Sequence, residues 1–209
     1  MRSNVVEGAA GARLPVFRSR VQGEVLARLL LGPEREFSML ELAVLVRSDL
    51  AAVGREVERL AASGVVRVRE VAGGRVVARN VATPLHEPLA RLLLLTFGPG
   101  AVVAEECAHF AGVTRVFLFG RWADRYQGFP GPLPGEVHVL IVGDVPVAEA
   151  HLAAETASGR LGLPVQAVVR TRDQWHSGTD PFLREIRTGR LVPVDVRRPS
   201  PVRADRFGG

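Results

Sequence analysis

Residues 48–80 read SDLAAVGREVERLAASGVVRVREVAGGRVVARN, and the change of period inside this stretch decides the first half of the fold. From Asp49 to Ser63 the apolar residues Leu50, Val53, Val57, Leu60 and Ala61 fall three and four apart, the spacing of one inward helix face. Ala52, Arg55, Glu56 and Arg59 fall on the other side, and Gly64 supplies a stop. Beyond it the period drops to two. Val66, Val68 and Val71 lie in an arginine-rich run that breaks at Gly73-Gly74 and resumes over Arg75–Arg79. Two strands joined by glycines free to take positive φ predict a hairpin.

Upstream, Val21, Val25, Leu26, Leu29 and Leu30 give a one-faced helix over Ser19–Leu31 that stops at Gly32-Pro33. A second helix starts at Ser38, a residue able to cap free amides, and runs through Leu40, Leu42, Ala43 and Val46. Only Arg47-Ser48 separates it from the third. This helix-turn-helix and basic hairpin together resemble the winged-helix domain of ArsR- and MarR-like transcription regulators, over about residues 15–95. The resemblance implies double-stranded DNA as partner, with the third helix in the major groove. Ser48, Ala52, Arg55, Glu56 and Arg59 would then face the DNA, and Arg67, Arg69, Arg75 and Arg79 would hold mostly phosphates. Winged helices also serve as protein-interaction modules, and Glu56 and Glu58 on the third helix keep that alternative open.

The chain has 209 residues, 47% hydrophobic and 23% charged, which suits one or two folded domains and excludes a disordered or collagen-like chain. All 27 basic residues are Arg. Codon supply in a GC-rich genome accounts for such a bias, so position matters more than the pI of 10.9. Residues 1–99 hold 14 Arg against 10 acidic residues, and residues 100–209 hold 13 against 12, so the excess lies in the half that resembles a DNA reader. The single Cys107 allows no intramolecular disulfide. The N-terminus has no signal-like apolar stretch, and the most apolar run, Leu89–Phe97, contains Arg91 and is short for a bilayer. A cytoplasmic protein with no membrane contact is expected. No C-x-x-C or H-E-x-x-H pattern supports zinc.

After Pro84, Leu85–Phe97 is apolar around most of its circumference and ends at Gly98-Pro99-Gly100, so the helix must be covered on more than one side. The resemblance puts a homodimer contact here. Packing of one domain against the other is the alternative.

The second half alternates helix and strand: helix 101–111, strand 114–119, a short helix after Gly120, strand 136–142, helix 146–160 and strand 164–170. Within it VFLFGRWADRYQGFPGPLPGEVHVLIVGD, residues 116–144, resembles the signature of minimal nucleotidyltransferases of the polymerase-beta type. Residues 171–194, TRDQWHSGTDPFLREIRTGRLVPV, are similar to the end of that domain in winged-helix fusions. The resemblance implies a triphosphate at the turn, with Gly120, Arg121 and Arg125 beside it, and Mg²⁺ held by two aspartates two residues apart on one strand face. Here Arg121 stands for the Ser of the turn, and Glu136 and His138 stand for the aspartates. The next strand offers Gln166 in place of a third carboxylate. Glu136 could hold Mg²⁺, but His is a poor ligand for so hard an ion.

The expectation is therefore an α+β chain. Its parts are a flexible segment 1–14, a winged helix-turn-helix domain 15–83, a linker or dimerisation helix 84–99, a degenerate nucleotidyltransferase-like α/β domain 100–196 and a mobile tail 197–209. That second domain would be a scaffold or a sensor of a nucleotide or another anionic effector, without catalytic residues. An active transferase working through Glu136, with Mg²⁺ and NTP, and a pure interaction scaffold are the alternatives. Gln127–Gly135, with three Pro and three Gly, is expected to be a loop beside the cleft, and Trp175 and Phe182 to be core residues.

Overall fold

The computed structural model describes residues 17–196, so the expected flexible segment 1–14 and mobile tail 197–209 lie outside the described residues. The fold is mixed α+β with two small sheets. Helix α1 (Arg20–Leu31) opens on Ser19, whose hydroxyl accepts the Gln22 amide at 3.1 Å. The two-residue strand β1 (Phe37–Ser38) leads into α2 (Met39–Leu45), capped by Ser38, and α3 (Leu50–Ala62) is capped by Asp49 at 2.7 Å from the Ala52 amide. Each cap satisfies an amide that a helix start leaves free, which is why these helices begin where the sequence places them. Strands β2 (Val66–Val71) and β3 (Gly74–Arg79) pair as an antiparallel hairpin, and β1 joins its β3 edge through Phe37↔Val77. The sheet order is β1-β3-β2.

Two positions on α3 differ from the expected stripe. The buried face begins at Val53 rather than Leu50, which is 52% exposed. Glu56 is only 6% exposed and not outward-facing. The Ser19 hydroxyl and the neighbouring Arg59 give its carboxylate polar partners, and these permit the burial.

Helix α4 (His86–Phe97) buries Ala90, Leu93 and Leu94 but leaves Leu85 and Leu95 exposed, so its cover is one-sided. It packs on α1 where Gly23 lacks a side chain, and the Phe97 ring occupies that space. Extended backbone at Gly98 breaks the helix, and α5 (Pro99–Cys107) starts two residues earlier and ends four residues sooner than the expected helix. His86–Cys107 is long and apolar enough to cross a membrane by length and composition, with 22 residues at a mean hydropathy of 1.3. The break at Gly98 splits it, and each piece packs one face against the rest of the molecule. Burial among them pushes the Cys107 thiol up to about 12.

The second sheet collects β4 (Val113–Phe119), β5 (Val137–Gly143), β6 (Val165–Arg170) and β7 (Leu191–Val194) in the order β6-β5-β4-β7. Only β5–β6 is parallel. Between them lie α6 (Arg121–Tyr126), α7 (Val147–Leu161), α8 (Arg172–Ser177) and α9 (Pro181–Thr188). Val116, Leu118, Val137, Val139 and Ile141 alternate onto the face that shares its core with α5 and α7. Phe117, Leu140 and Val142 point the other way, under α8 and α9. Trp175 stacks on Phe117 at 5.1 Å and Phe182 meets Phe119 edge-on at 5.8 Å, so both aromatics, expected as core residues, are half-buried against the edge of this cluster.

One apolar cluster runs from α1, α3 and β3 through α4 and α5 to the central strands, so the two sheets share a core. Arg28 crosses the same junction. From α1 its guanidinium donates to the carbonyl oxygens of Gly159, at 3.2 Å, and Arg160, in the last turn of α7. It thereby satisfies carbonyls that a helix end leaves without partners, and burial pushes its pKa down to about 10. Gly162 closes α7 with φ of 68°, and a Cβ there would overlap the Arg28 guanidinium. Gly162→Ala is expected to lower the unfolding free energy by about 1–3 kcal/mol, read as a fall of the calorimetric midpoint.

Candidate functional site

The exposed side of α3 and the hairpin form the first surface. Arg55 is exposed and has no hydrogen-bond or ion-pair partner among the described residues. The other expected contacts are engaged within the chain. Arg59 pairs with Glu56 at 3.0 Å, Arg67 donates to Asn80 at 2.9 Å, and Arg75 lies 3.4 Å from Glu58. Arg69 grips Glu36 through two nitrogens, at 2.5 and 3.2 Å, and this hydrogen bonding holds the Glu36 carboxyl below its usual range. Arg79 is the most withdrawn, its side chain 12% exposed and held by Glu34 at 3.1 Å and the Gly32 carbonyl. Ser48 and Ala52 are half-buried near the start of α3. Glu56 is a correction: a buried carboxylate cannot touch a base edge.

Sequence reasoning missed the acidic partners Glu34 and Glu36. The available signal was the run Glu34-Arg35-Glu36 just before β1, the strand that brings it against the hairpin. It also missed Arg47, exposed, unpaired and with φ of 50° in the link between α2 and α3.

The second site lies at the end of β4. Gly120 follows with φ of 71° and ψ of −151°, a conformation essentially restricted to glycine. The pairings Gln166↔His138↔Phe119↔Leu191 set one row of side chains across the sheet on the face that α9 reaches. His138 stacks on Phe119 at 5.3 Å, and a Cβ on Gly120 would come within 3.2 Å of its Nδ1. Glu136 sits one residue before β5 and places Oε1 3.4 Å from His138 Nε2. Glu136 and His138, expected from the resemblance at the aspartate positions, therefore face each other as a pair.

Arg121 is exposed and without a partner among the described residues. Arg125 is instead tied down, donating to the Phe129 carbonyl at 3.0 Å and lying 3.9 Å from Glu87. Asp124, its neighbour on α6, is held instead by Arg190 at 2.9 Å. The main chain of α6 is anchored from α4: Arg91 donates to the carbonyls of Arg125 and Tyr126, and the Tyr126 hydroxyl accepts the Gly100 amide at 2.8 Å. Gln127–Gly135 is a loop, as expected.

The donor set does not suit a pair of Mg²⁺ ions. Glu136 is the one carboxylate in the row, and its strand neighbours His138 and Gln166 are neutral or soft donors. Asp180 is committed to Arg170 at 2.6 Å, a hydrogen bond that holds its carboxyl below the usual range. Asp144 lies beyond the far end of β5. Among the described residues no group of three or more His, Cys, Asp and Glu could hold a metal. A cavity of about 500 Å³ lies elsewhere, lined by the opposite end of β4 and by residues 193–196.

A scan of protein-family models, a search of curated proteins and a search of solved structures each find no match to this chain.

Millimolar Mg²⁺, with or without ATP, is expected to leave the unfolding midpoint unchanged. A Mg²⁺-dependent rise that vanishes in Glu136→Gln would contradict this account of the donor set.

Proposed function

We propose that this chain is a cytoplasmic, homodimeric, DNA-binding regulator: a winged helix joined to a nucleotidyltransferase-like domain that does not turn over nucleotide. The observation that carries the reading is the pairing of β1 with β3. It completes the order α1-β1-α2-α3-β2-β3 with sheet order β1-β3-β2, and so anchors the hairpin beside α3. That order is what a winged helix needs to present a recognition helix and a wing together. The unpaired Arg55 supplies the free cation on the helix.

The pairing of the hairpin arginines fits this use. Exposed ion pairs contribute little, so a phosphate can replace Glu36 or Glu58 as the partner of Arg69 or Arg75. Arg79 is the exception, being held inward. With about four phosphates neutralised per subunit, and so about eight per dimer, affinity for duplex DNA should fall roughly 10,000-fold between 50 and 200 mM salt. Arg55→Ala should weaken binding and flatten its sequence preference. Fluorescence anisotropy on a labelled duplex measures both, and absence of binding at low salt overturns the reading.

In the second domain, loss of the carboxylate pair supports a sensor or scaffold rather than an enzyme. An anionic effector would meet Arg121, the one arginine of the expected pair with no partner within the described chain. Leu85 and Leu95, 49% and 56% exposed on the outer side of α4, support a dimer contact there. Leu95→Asp is expected to convert a dimer to a monomer in sedimentation at micromolar protein.

A second reading, a protein-interaction module, is favoured by Leu40 and Val44. They lie one turn apart on α2 and are the most exposed large apolar side chains among the described residues, at 65% and 69%.

A further inference from the structure

Glu56 is one of two charged residues buried among the described ones, and nothing in the proposed reading yet uses it. It lies on α3 between Arg55, which is free, and Arg59, one turn on. Its Oε1 accepts from Arg59 Nη1 at 3.0 Å and from the Ser19 hydroxyl at 3.4 Å, while Oε2 is buried without a partner. A carboxylate with one satisfied oxygen and one orphaned oxygen recovers little of its desolvation cost, so fold stability is a poor explanation for it. What the arrangement does achieve is geometric. Ser19 is the N-cap of α1, so the carboxylate is located by a second helix and not by α3 alone. The arginine it grips is 43% exposed in its side chain, leaving the rest of the guanidinium fork open to solvent beside Arg55. A long flexible side chain on an exposed helix face is thereby held in one direction before any ligand arrives, which lowers the ordering cost on binding.

We propose that Glu56 is a positioning residue for DNA reading: it aims Arg59 at one base edge and touches no nucleic acid itself. This rests on the DNA-binding reading above. Under it, Glu56 governs which sequence is preferred and has little influence on the nonspecific, salt-dependent part of the affinity, because no phosphate contact is added or removed.

The test is sequence enrichment from a randomised duplex pool, followed by anisotropy on the enriched and a scrambled duplex across 50–200 mM salt. Wild type, Glu56→Gln, Arg59→Ala and the double variant are compared, with melting curves as a folding control. The expected result is that Glu56→Gln and Arg59→Ala lose preference at the same positions of the enriched site. The ratio of specific to nonspecific affinity should fall by about 5- to 150-fold in each, and the double variant should add nothing further. The salt slope of Glu56→Gln should match wild type. An unchanged enriched sequence in Glu56→Gln, or losses that add in the double variant, overturns the proposal. If Glu56→Gln does not fold, Arg59→Lys decides: it keeps the charge but not the planar fork, so an unchanged preference overturns the proposal and an altered one with unchanged salt slope supports it. If wild type binds no duplex even at low salt, the DNA-binding reading itself fails and this assignment goes with it. That result is distinct from binding with an indifferent Glu56.

Discussion

The guanidinium of Arg28 sits where α1 meets the closing turn of α7, and the relation between the two halves of the molecule depends on it. A helix ends with carbonyls that need donors, and a buried arginine needs acceptors. Each requirement is met by a residue more than a hundred positions away in the chain. Gly162 completes the arrangement, because its left-handed backbone ends α7 and its missing Cβ leaves room for the cation. Next to it, Arg160 turns back to α5, pairing with Glu105 and Glu106 at 2.7 and 2.5 Å. Three helices are joined at one point, over a core that continues from one sheet to the other. An oriented, desolvated network of this kind resists sliding better than apolar contact alone, since each displacement would strand a buried charge.

The hairpin shows how local charge can mislead. Its four arginines look like a continuous basic strip, yet Glu36, Glu58 and Glu34 meet three of them and Asn80 the fourth. The exposed members remain available because water and salt screen such pairs. Arg79 differs because its partners include a backbone carbonyl and its side chain is largely covered. Near the start of α3, Arg55 and Arg47 have no partner among the described residues.

At the end of β4, Gly120 makes a tight turn with φ of 71°, and the pairing of β4 with β5 sets His138 beside Phe119. Where two carboxylates would repel and hold cations between them, Glu136 and His138 approach each other. The ring of His138 lies on Phe119 and helps cover the same sheet face that α9 covers with Phe182. Arg121 is the exposed cation at the turn, without a partner among the described residues.

Much of this was legible in the residues themselves. The periods of 3.6 and 2, the cap Ser38 and the stop at Gly64 located the first three helices and the hairpin to within a residue or two. They could do so because capping and one-sided burial are local properties of the chain. Helix α5 was misplaced because Pro99 is suited to the first turn of a helix as well as to ending one. The burial of Glu56, the withdrawal of Arg79, the diversion of Arg125 to Phe129 and the cap that Arg28 puts on α7 were not legible. Each depends on a partner distant in sequence or across a turn, and a charged side chain reveals nothing of its exposure until that partner is in place. The sequence determined the first four helices, the hairpin, most of the helix and strand alternation that follows and the residue types at both sites, but β1, α8, α9 and β7 were not read in it. Only the tertiary structure decided which of those charges are free to act, because desolvation and pairing are set by neighbours that the fold brings together.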